Sequence, residues 1–222
     1  MDATPTRDLI LDAVERLIGV LGYSKTTMDD VAREAGVAKR TIYVHFPSKE
    51  EVVLCTIDRI VDRLVARLRQ HAAAPGPAGE RLQAMLVERV VYRFESVRDY
   101  SHGLDELFAS LRPAYLARRE RYFAAEAAVF ADVLAAGHAA GELDAPDPAV
   151  AAEALLLATN SLLPYALSAR ELGRRKDVEL RAGRIAHLLL FGLRRERRPR
   201  ARSIPTRSRL PSTRATRTGR PR

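Results

Sequence analysis

Residues 26–49 read TTMDDVAREAGVAKRTIYVHFPSK and predict two short helices joined by a tight turn. Thr27 can cap the first helix, with Asp30 at the acidic position of a capping box. Gly36 fits the end of this helix, because a left-handed backbone suits glycine. A helix pair of this length, with a basic and aromatic second helix, is typical of a helix-turn-helix that binds DNA.

The second helix of the motif is predicted from about residue 38 to residue 46. Ile42 and Phe46 are spaced i, i+4 and are expected to point inward, and Pro47 ends the helix. The pattern S-x-x-E from Ser48 predicts another capping box and a new helix. If Ile42 and Phe46 are core, the other side chains of the helix remain for its exposed and flanking faces: Lys39, Arg40, Thr41, Tyr43, Val44 and His45.

An amphipathic helix precedes the motif. Apolar residues recur at helical spacing from Ile10 to Leu21, and Gly22 ends the pattern. Three helices in about 50 residues, sharing one apolar seam, form a small module of the size that DNA-binding helix-turn-helix domains have.

Residues 7–52 resemble the N-terminal domain of the TetR (tetracycline repressor) family of bacterial transcriptional regulators. The matching pieces are the helix 9–21, Thr27 with DVA at 30–32, AGV at 35–37, and TIY at 41–43 running into FPSKE at 46–50. The resemblance implies an all-α fold: a three-helix N-terminal DNA-binding domain with a helix-turn-helix, then an effector-binding and dimerisation domain of about six helices.

The resemblance also implies a set of DNA-contacting residues. Those at positions that face the major groove in the family are Lys39, Arg40, Thr41 and Val44. Those at positions that hold the phosphate backbone, or that start the motif, are Tyr43, His45, Lys49 and Thr27. An arginine or lysine can bond to guanine O6 and N7, and a valine can contact a thymine methyl group.

Two positions depart from the family pattern. Ala38 replaces a common serine, which removes one possible cap or phosphate contact. Asp29 stands where several relatives have a basic residue that faces the groove. Its carboxylate can accept from a cytosine amine or remain solvated, and we expect it to be solvated.

The formal net charge of +9 is concentrated at the end of the chain. Residues 194–222 contain 12 arginines, no lysine and one acid, whereas the other 193 residues carry 25 basic and 27 acidic side chains. The tail has few large apolar residues, so we expect it to be disordered. It either adds non-specific affinity for DNA phosphates or is solvated without a specific role.

The remainder of the chain is predicted to be helical. The expected helices cover residues 50–71, 80–95, 97–110, 113–140, 149–172 and 177–195, which gives about nine helices in all. We expect a DNA-binding domain at 1–49, an effector-binding and dimerisation domain at 50–195, and the arginine-rich tail at 196–222.

The effector region carries only weak signals. Asn160 interrupts an apolar helix, and a buried asparagine needs a partner that a ligand can supply. The pocket candidates for an unknown small molecule, expected to be largely apolar, are Tyr92, Phe108, Phe123, Asn160 and Tyr165. The alternative is that these are ordinary core aromatics and a locally bonded asparagine.

The last two helices are the expected homodimer interface. One carries Ala152, Leu155, Leu156, Thr159 and Leu163, and the other carries Gly183, Ala186, Leu189 and Leu190. The alternative is that these residues are only core within the domain. A two-fold dimer implies a pseudo-palindromic operator in double-stranded DNA.

Several classes of protein are not supported by the sequence. We expect a cytoplasmic protein without membrane partners, because there is no long apolar run and no signal-peptide pattern. The single Cys55 excludes an intrachain disulfide, and the histidines lack metal-ligand spacing, so no metal or cofactor is expected. No enzyme motif is present. The predicted function is a repressor that an effector releases from its operator; the alternative is an architectural DNA-binding protein that relies on its tail.

Overall fold

The computed structural model describes residues 5–98, 104–164 and 173–193, and these residues form an all-α protein. In this described part of the chain eight α-helices follow one another, with a 3-10 turn at Asn160–Leu162 after the seventh. Within these ranges no helix has both the length and the apolar character that a membrane span needs. The helices are α1 Pro5–Leu21, α2 Met28–Ala35, α3 Lys39–His45, α4 Lys49–Ala72, α5 Ala78–Arg98, α6 Leu104–Ala139, α7 Pro148–Thr159 and α8 Arg175–Leu193.

The first three helices enclose a small core together with the first turns of α4. Ile42 and Phe46 are both buried in it, so their predicted inward orientation is confirmed. Leu111 of α6 is also a member of this core. The N-terminal module therefore packs directly against the helices that follow it.

Helix α4 contributes to two cores. Val52 and Val53 pack with the N-terminal module, whereas Leu64 and Leu68 are fully buried in the main core. In that core α4 packs against α5 and α6, α7 packs mainly against α6, and α8 packs mainly against α5. Helix α4 therefore links the N-terminal module to the main core, because it packs in both.

Helix α6 continues through Pro113, so the predicted separation into two helices near residues 110–113 is wrong. A proline removes one backbone N–H and its helical hydrogen bond. Here the turns on both sides are held by packing, because Leu111 and Tyr115 are buried. Tertiary contacts therefore outweigh the local helix-breaking tendency of proline.

Helix α7 ends at Thr159, earlier than the predicted helix 149–172. After the 3-10 turn, Leu163 is extended with φ −82° and ψ 146°. Pro164 explains this geometry, since the residue before a proline is pushed out of the helical region. The rest of the predicted helix, residues 165–172, lies outside the described residues.

Candidate nucleic-acid interface

The predicted capping box at the start of α2 is present. The Thr27 hydroxyl accepts from the Asp30 backbone N–H at 3.1 Å, and the Asp30 carboxylate accepts from the Thr27 N–H at 3.1 Å. At the other end Gly36 has φ 67°, the left-handed conformation that favours glycine. The capping box and the left-handed Gly36 fix the two ends of α2 and so determine where α3 begins.

Helix α3 separates its buried and exposed faces clearly. Ile42 is buried, whereas Val44 is 76% exposed and Tyr43 is 46% exposed. Arg40 is also exposed, and it forms no hydrogen bond or ion pair with any part of the chain that the structure describes. The predicted base-contacting and phosphate-contacting side chains on this face are Lys39, Arg40, Tyr43 and Val44, with Thr41 and His45 half-buried at its edges.

Lys39 has an acidic partner that the sequence did not suggest. Its ammonium group donates to the Asp29 carboxylate at 2.8 Å, and both side chains remain largely exposed. This hydrogen bond raises the pKa of Lys39. Asp29 is therefore paired as well as solvated, and the first residue of the recognition helix is tied to the first turn of α2.

Lys49 lies against Tyr23 at the start of α4. Its Nζ is 4.2 Å from the centre of the Tyr23 ring and donates to the Ser24 carbonyl at 3.5 Å. Ser48 caps α4 by accepting from the Glu51 backbone N–H at 3.0 Å. The reciprocal half of the second predicted capping box is absent among the described residues, because the Glu51 carboxylate accepts from α6 instead.

The partner of Glu51 on α6 is Arg118. Its guanidinium donates to Glu51 at 2.7 Å and to Asp58 at 2.8 Å. Tyr122 also donates its hydroxyl to Asp58, and burial together with this bond raises the pKa of Tyr122. We call the group Arg118, Glu51 and Asp58 the Arg118 clamp; it attaches α6 to α4 directly after the recognition helix.

A second polar group is buried in the main core. Arg89 donates to Glu126 at 2.5 Å, to Thr159 at 2.8 Å and to Asn160 at 2.9 Å, and Arg93 donates to the other Glu126 oxygen. Burial opposes ionisation of Glu126, but the two arginines outweigh it and lower its pKa. We call these five residues the Arg89 network.

The burial of Arg89 could have been predicted from its position in the sequence, although its charge argues against burial. Leu82, Met85, Leu86 and Arg89 follow one another at helical spacing along α5, and all four are buried. An arginine on an apolar helical stripe implies a buried acceptor. Asn160 thus has a protein partner, Arg89, which is 71 residues away in the sequence.

The predicted effector residues whose side chains the structure describes are Tyr92, Phe123 and Asn160. Phe123 borders a cavity of about 10 Å³ beside the Arg89 network, a space that holds about one water molecule. Tyr92 packs against the main core instead, with the Arg67 guanidinium 4.9 Å from the centre of its ring. The Phe108 side chain and Tyr165 lie outside the described residues, and no cluster of three metal-ligating side chains occurs within them.

Comparison with known proteins agrees with this geometry. Residues 10–54 match the sequence model of the family "Bacterial regulatory proteins, tetR family". A transcriptional regulator of the TetR/AcrR family from Thermobifida fusca is 33% identical, with a TM-score of 0.59; the match covers 86% of this chain and all of that one. The chain belongs to the TetR family.

Two other matches are more limited, one in length and the other in sequence identity. The transcriptional activator FasR of Mycolicibacterium smegmatis is 37% identical over 35% of this chain, and the match spans only 36% of the activator's length. FadR of Bacillus subtilis, solved in complex with stearoyl-CoA, has a TM-score of 0.60 at 17% identity, covering 84% of this chain and 98% of that one. The likeness to FadR shows the shared fold alone.

Proposed function

We propose that this chain is a homodimeric repressor that binds a pseudo-palindromic DNA operator and is released from it by a small-molecule effector. The supporting observation is the exposed face of α3, where Arg40 and Val44 project from a helix anchored by buried Ile42 and Phe46. We further propose the division into a DNA-binding domain at 1–49, an effector and dimer domain at 50–195 and a tail at 196–222.

The proposed DNA contacts divide into two groups. Base edges in the major groove are contacted by Lys39, Arg40, Thr41 and Val44, whose residue types match the donors and the apolar contact that base pairs offer there. Phosphates are contacted by Tyr43, His45, Lys49 and Thr27. Lys49 starts α4, so the backbone N–H groups of that first turn add to the attraction for a phosphate.

The dimer is proposed to form through the exposed apolar faces of α7 and α8. The interface residues expected from the sequence are mostly wrong: those on α7, and Leu163 beyond it, are buried inside the chain, as are Ala186 and Leu190 of α8. Different apolar side chains face outward on these helices: Val150, Leu157, Leu180, Leu188 and Phe191. An apolar face of this kind marks an interaction surface.

The effector is proposed to be largely apolar and to enter near Phe123 and Asn160, with Tyr92, Phe108 and Tyr165 as further candidates. Because the cavity beside Phe123 is small, binding requires this region to open. Stearoyl-CoA, the ligand in the FadR structure, has a long apolar acyl chain, which supports an apolar effector site in a protein of this fold. Opening would shift α6 and, through the Arg118 clamp, α4, so the two recognition helices would no longer fit successive grooves.

Selection of genomic fragments by the purified chain at near-physiological salt tests the proposal. We expect one palindromic sequence to be enriched, preferred over random DNA by about 10³-fold or more. The same selection with residues 198–222 deleted should recover the same palindrome. Broad enrichment that disappears with the tail would contradict the repressor and support the architectural alternative.

Substitution of Arg40 by alanine is expected to weaken operator binding by about 1–3 kcal/mol and to relax the preference for a guanine in the half-site. The measurement is a titration of labelled operator and of operators with single base changes. Arg16→Ala provides a control of equal charge change, because Arg16 lies on α1 and pairs with Glu34. Equal losses in both variants would assign the effect to net charge.

A further inference from the structure

The basic side chains around the recognition helix are mostly held by the protein itself. The four on α2, on α3 and at the first residue of α4 are Arg33, Lys39, Arg40 and Lys49. Arg33 pairs with Asp30, Lys39 pairs with Asp29, and Lys49 lies on the Tyr23 ring. Within this group Arg40 alone forms no hydrogen bond, ion pair or ring contact with a described residue.

Asp29 differs from Asp30 in what it does for the fold. Asp30 completes the capping box of α2 through Thr27. Asp29 is the second residue of that helix, and among the described residues its side chain bonds only to Lys39, at 2.8 Å. Its carboxylate can therefore be changed without removing the cap.

The position of Asp29 places its charge beside the DNA-binding face. Lys39 is the first residue of α3, and the N-terminal residues of a recognition helix are those that reach base edges. A carboxylate 2.8 Å from this ammonium group is therefore close to the path of the DNA. It repels phosphates and competes with them for Lys39.

We infer that Asp29 is a specificity-determining residue that suppresses binding to random DNA by holding Lys39. This inference rests on the proposed function, in which α3 enters the major groove. On random DNA, the exchange of Asp29 for one phosphate as the partner of Lys39 adds little binding free energy. At the operator, a guanine that offers O6 and N7 to Lys39 compensates for the lost ion pair. Asp29 thus widens the difference in affinity between operator and random DNA.

The test is Asp29→Asn in the full chain, titrated with a random duplex between 50 and 200 mM salt. Releasing Lys39 adds about one phosphate contact for each recognition helix engaged, which steepens the slope of log K against log salt by about 0.9. Across this salt range the affinity of the variant for random DNA should fall by an extra factor of about 3 for each helix engaged. The preference for the selected operator over random DNA should decrease.

Two further variants separate the causes. Glu34→Gln has the same charge change at a carboxylate that pairs with Arg16, and we expect it to leave the salt slope unchanged. Asp29→Asn combined with Lys39→Gln should return the slope to that of the parent, because the released ammonium group is gone. Circular dichroism spectra of all variants establish that α2 remains folded.

Each other outcome overturns the inference. If Asp29→Asn weakens operator binding and leaves random DNA unaffected, Asp29 is a base contact rather than a suppressor. If Glu34→Gln steepens the slope equally, only overall charge matters. The random-duplex arm needs no operator, so a failure to select any palindrome would count against the proposed function and not against this role of Asp29.

Discussion

Leu188→Glu is expected to convert the protein from a dimer to a monomer and to weaken operator binding by a factor of about 100 or more. Leu188 is 72% exposed on α8, and Leu180 and Phe191 project from the same helix with similar exposure. A carboxylate in the centre of such an interface must lose its hydration without gaining a partner. Two half-sites bound by one linked pair of modules gain a factor of about 10²–10⁴ over a single module, and a monomer loses that gain.

Sedimentation or light scattering gives the mass of the variant, and an operator titration gives its affinity. Leu116→Glu is the matched control, because Leu116 is an exposed leucine on α6. It should remain dimeric and bind as the parent does. Because the Leu188 side chain points to solvent within one chain, the helix content of both variants should be unchanged. A dimeric Leu188→Glu protein with full affinity would exclude this face as the interface.

Glu126→Ala is expected to reduce the free energy of unfolding by about 3–5 kcal/mol. Glu126 is 1% exposed and accepts from both Arg89 and Arg93. Its removal leaves buried guanidinium charge without a counterion, which costs more than the pair itself contributes. Denaturant unfolding measures the loss. Glu120→Ala on the exposed face of α6 is the control, expected to change stability by no more than about 0.5 kcal/mol.

The direction of the pH effect follows from the lowered pKa of Glu126. A carboxyl group with a lower pKa in the folded state contributes stability that is complete above its unfolded pKa and is lost as the pH falls through the folded pKa. The parent should therefore lose stability in acid, and Glu126→Gln should show less of this loss.

The double variant Arg89→Met/Glu126→Leu should lose less free energy of unfolding than the sum of the losses in the two single variants, because no unpaired charge remains from that pair. Strict additivity would show that the pair is not coupled.

The helix-turn-helix could be predicted from sequence because its determinants are local. Thr27, Asp30 and Gly36 define their turn within ten residues, and the i, i+4 spacing of Ile42 and Phe46 defines the buried side of α3. Such patterns depend on backbone geometry and helical periodicity, which a single sequence contains. For the same reason the all-α fold was predicted correctly, although the ends of α6 and α7 were not.

The polar groups that connect distant parts of the chain could not be predicted in this way. Arg118 meets Glu51 across 67 residues, and Arg89 meets Asn160 across 71. Helical spacing shows which side chains share a face but not which faces meet. Most residues expected at a dimer interface on α7 and α8 are instead buried within the chain, because small and apolar side chains suit both an internal core and a contact between subunits.

The Arg118 clamp has a consequence for how far a small motion can travel. It contacts α4 at Glu51 and Asp58, which are two turns or about 10 Å apart along the helix. Because there are two points of contact, they determine the direction of the helix axis relative to α6 as well as its position. Helix α4 has 24 residues and is therefore about 36 Å long. When α6 moves and carries both contact points with it, a swing of about 5° about the Ala72 end of α4 displaces the Lys49 end by about 3 Å, comparable to the length of one hydrogen bond. Under the proposed release mechanism, an angular change of this size in α4 is therefore enough to displace the recognition helix from its groove.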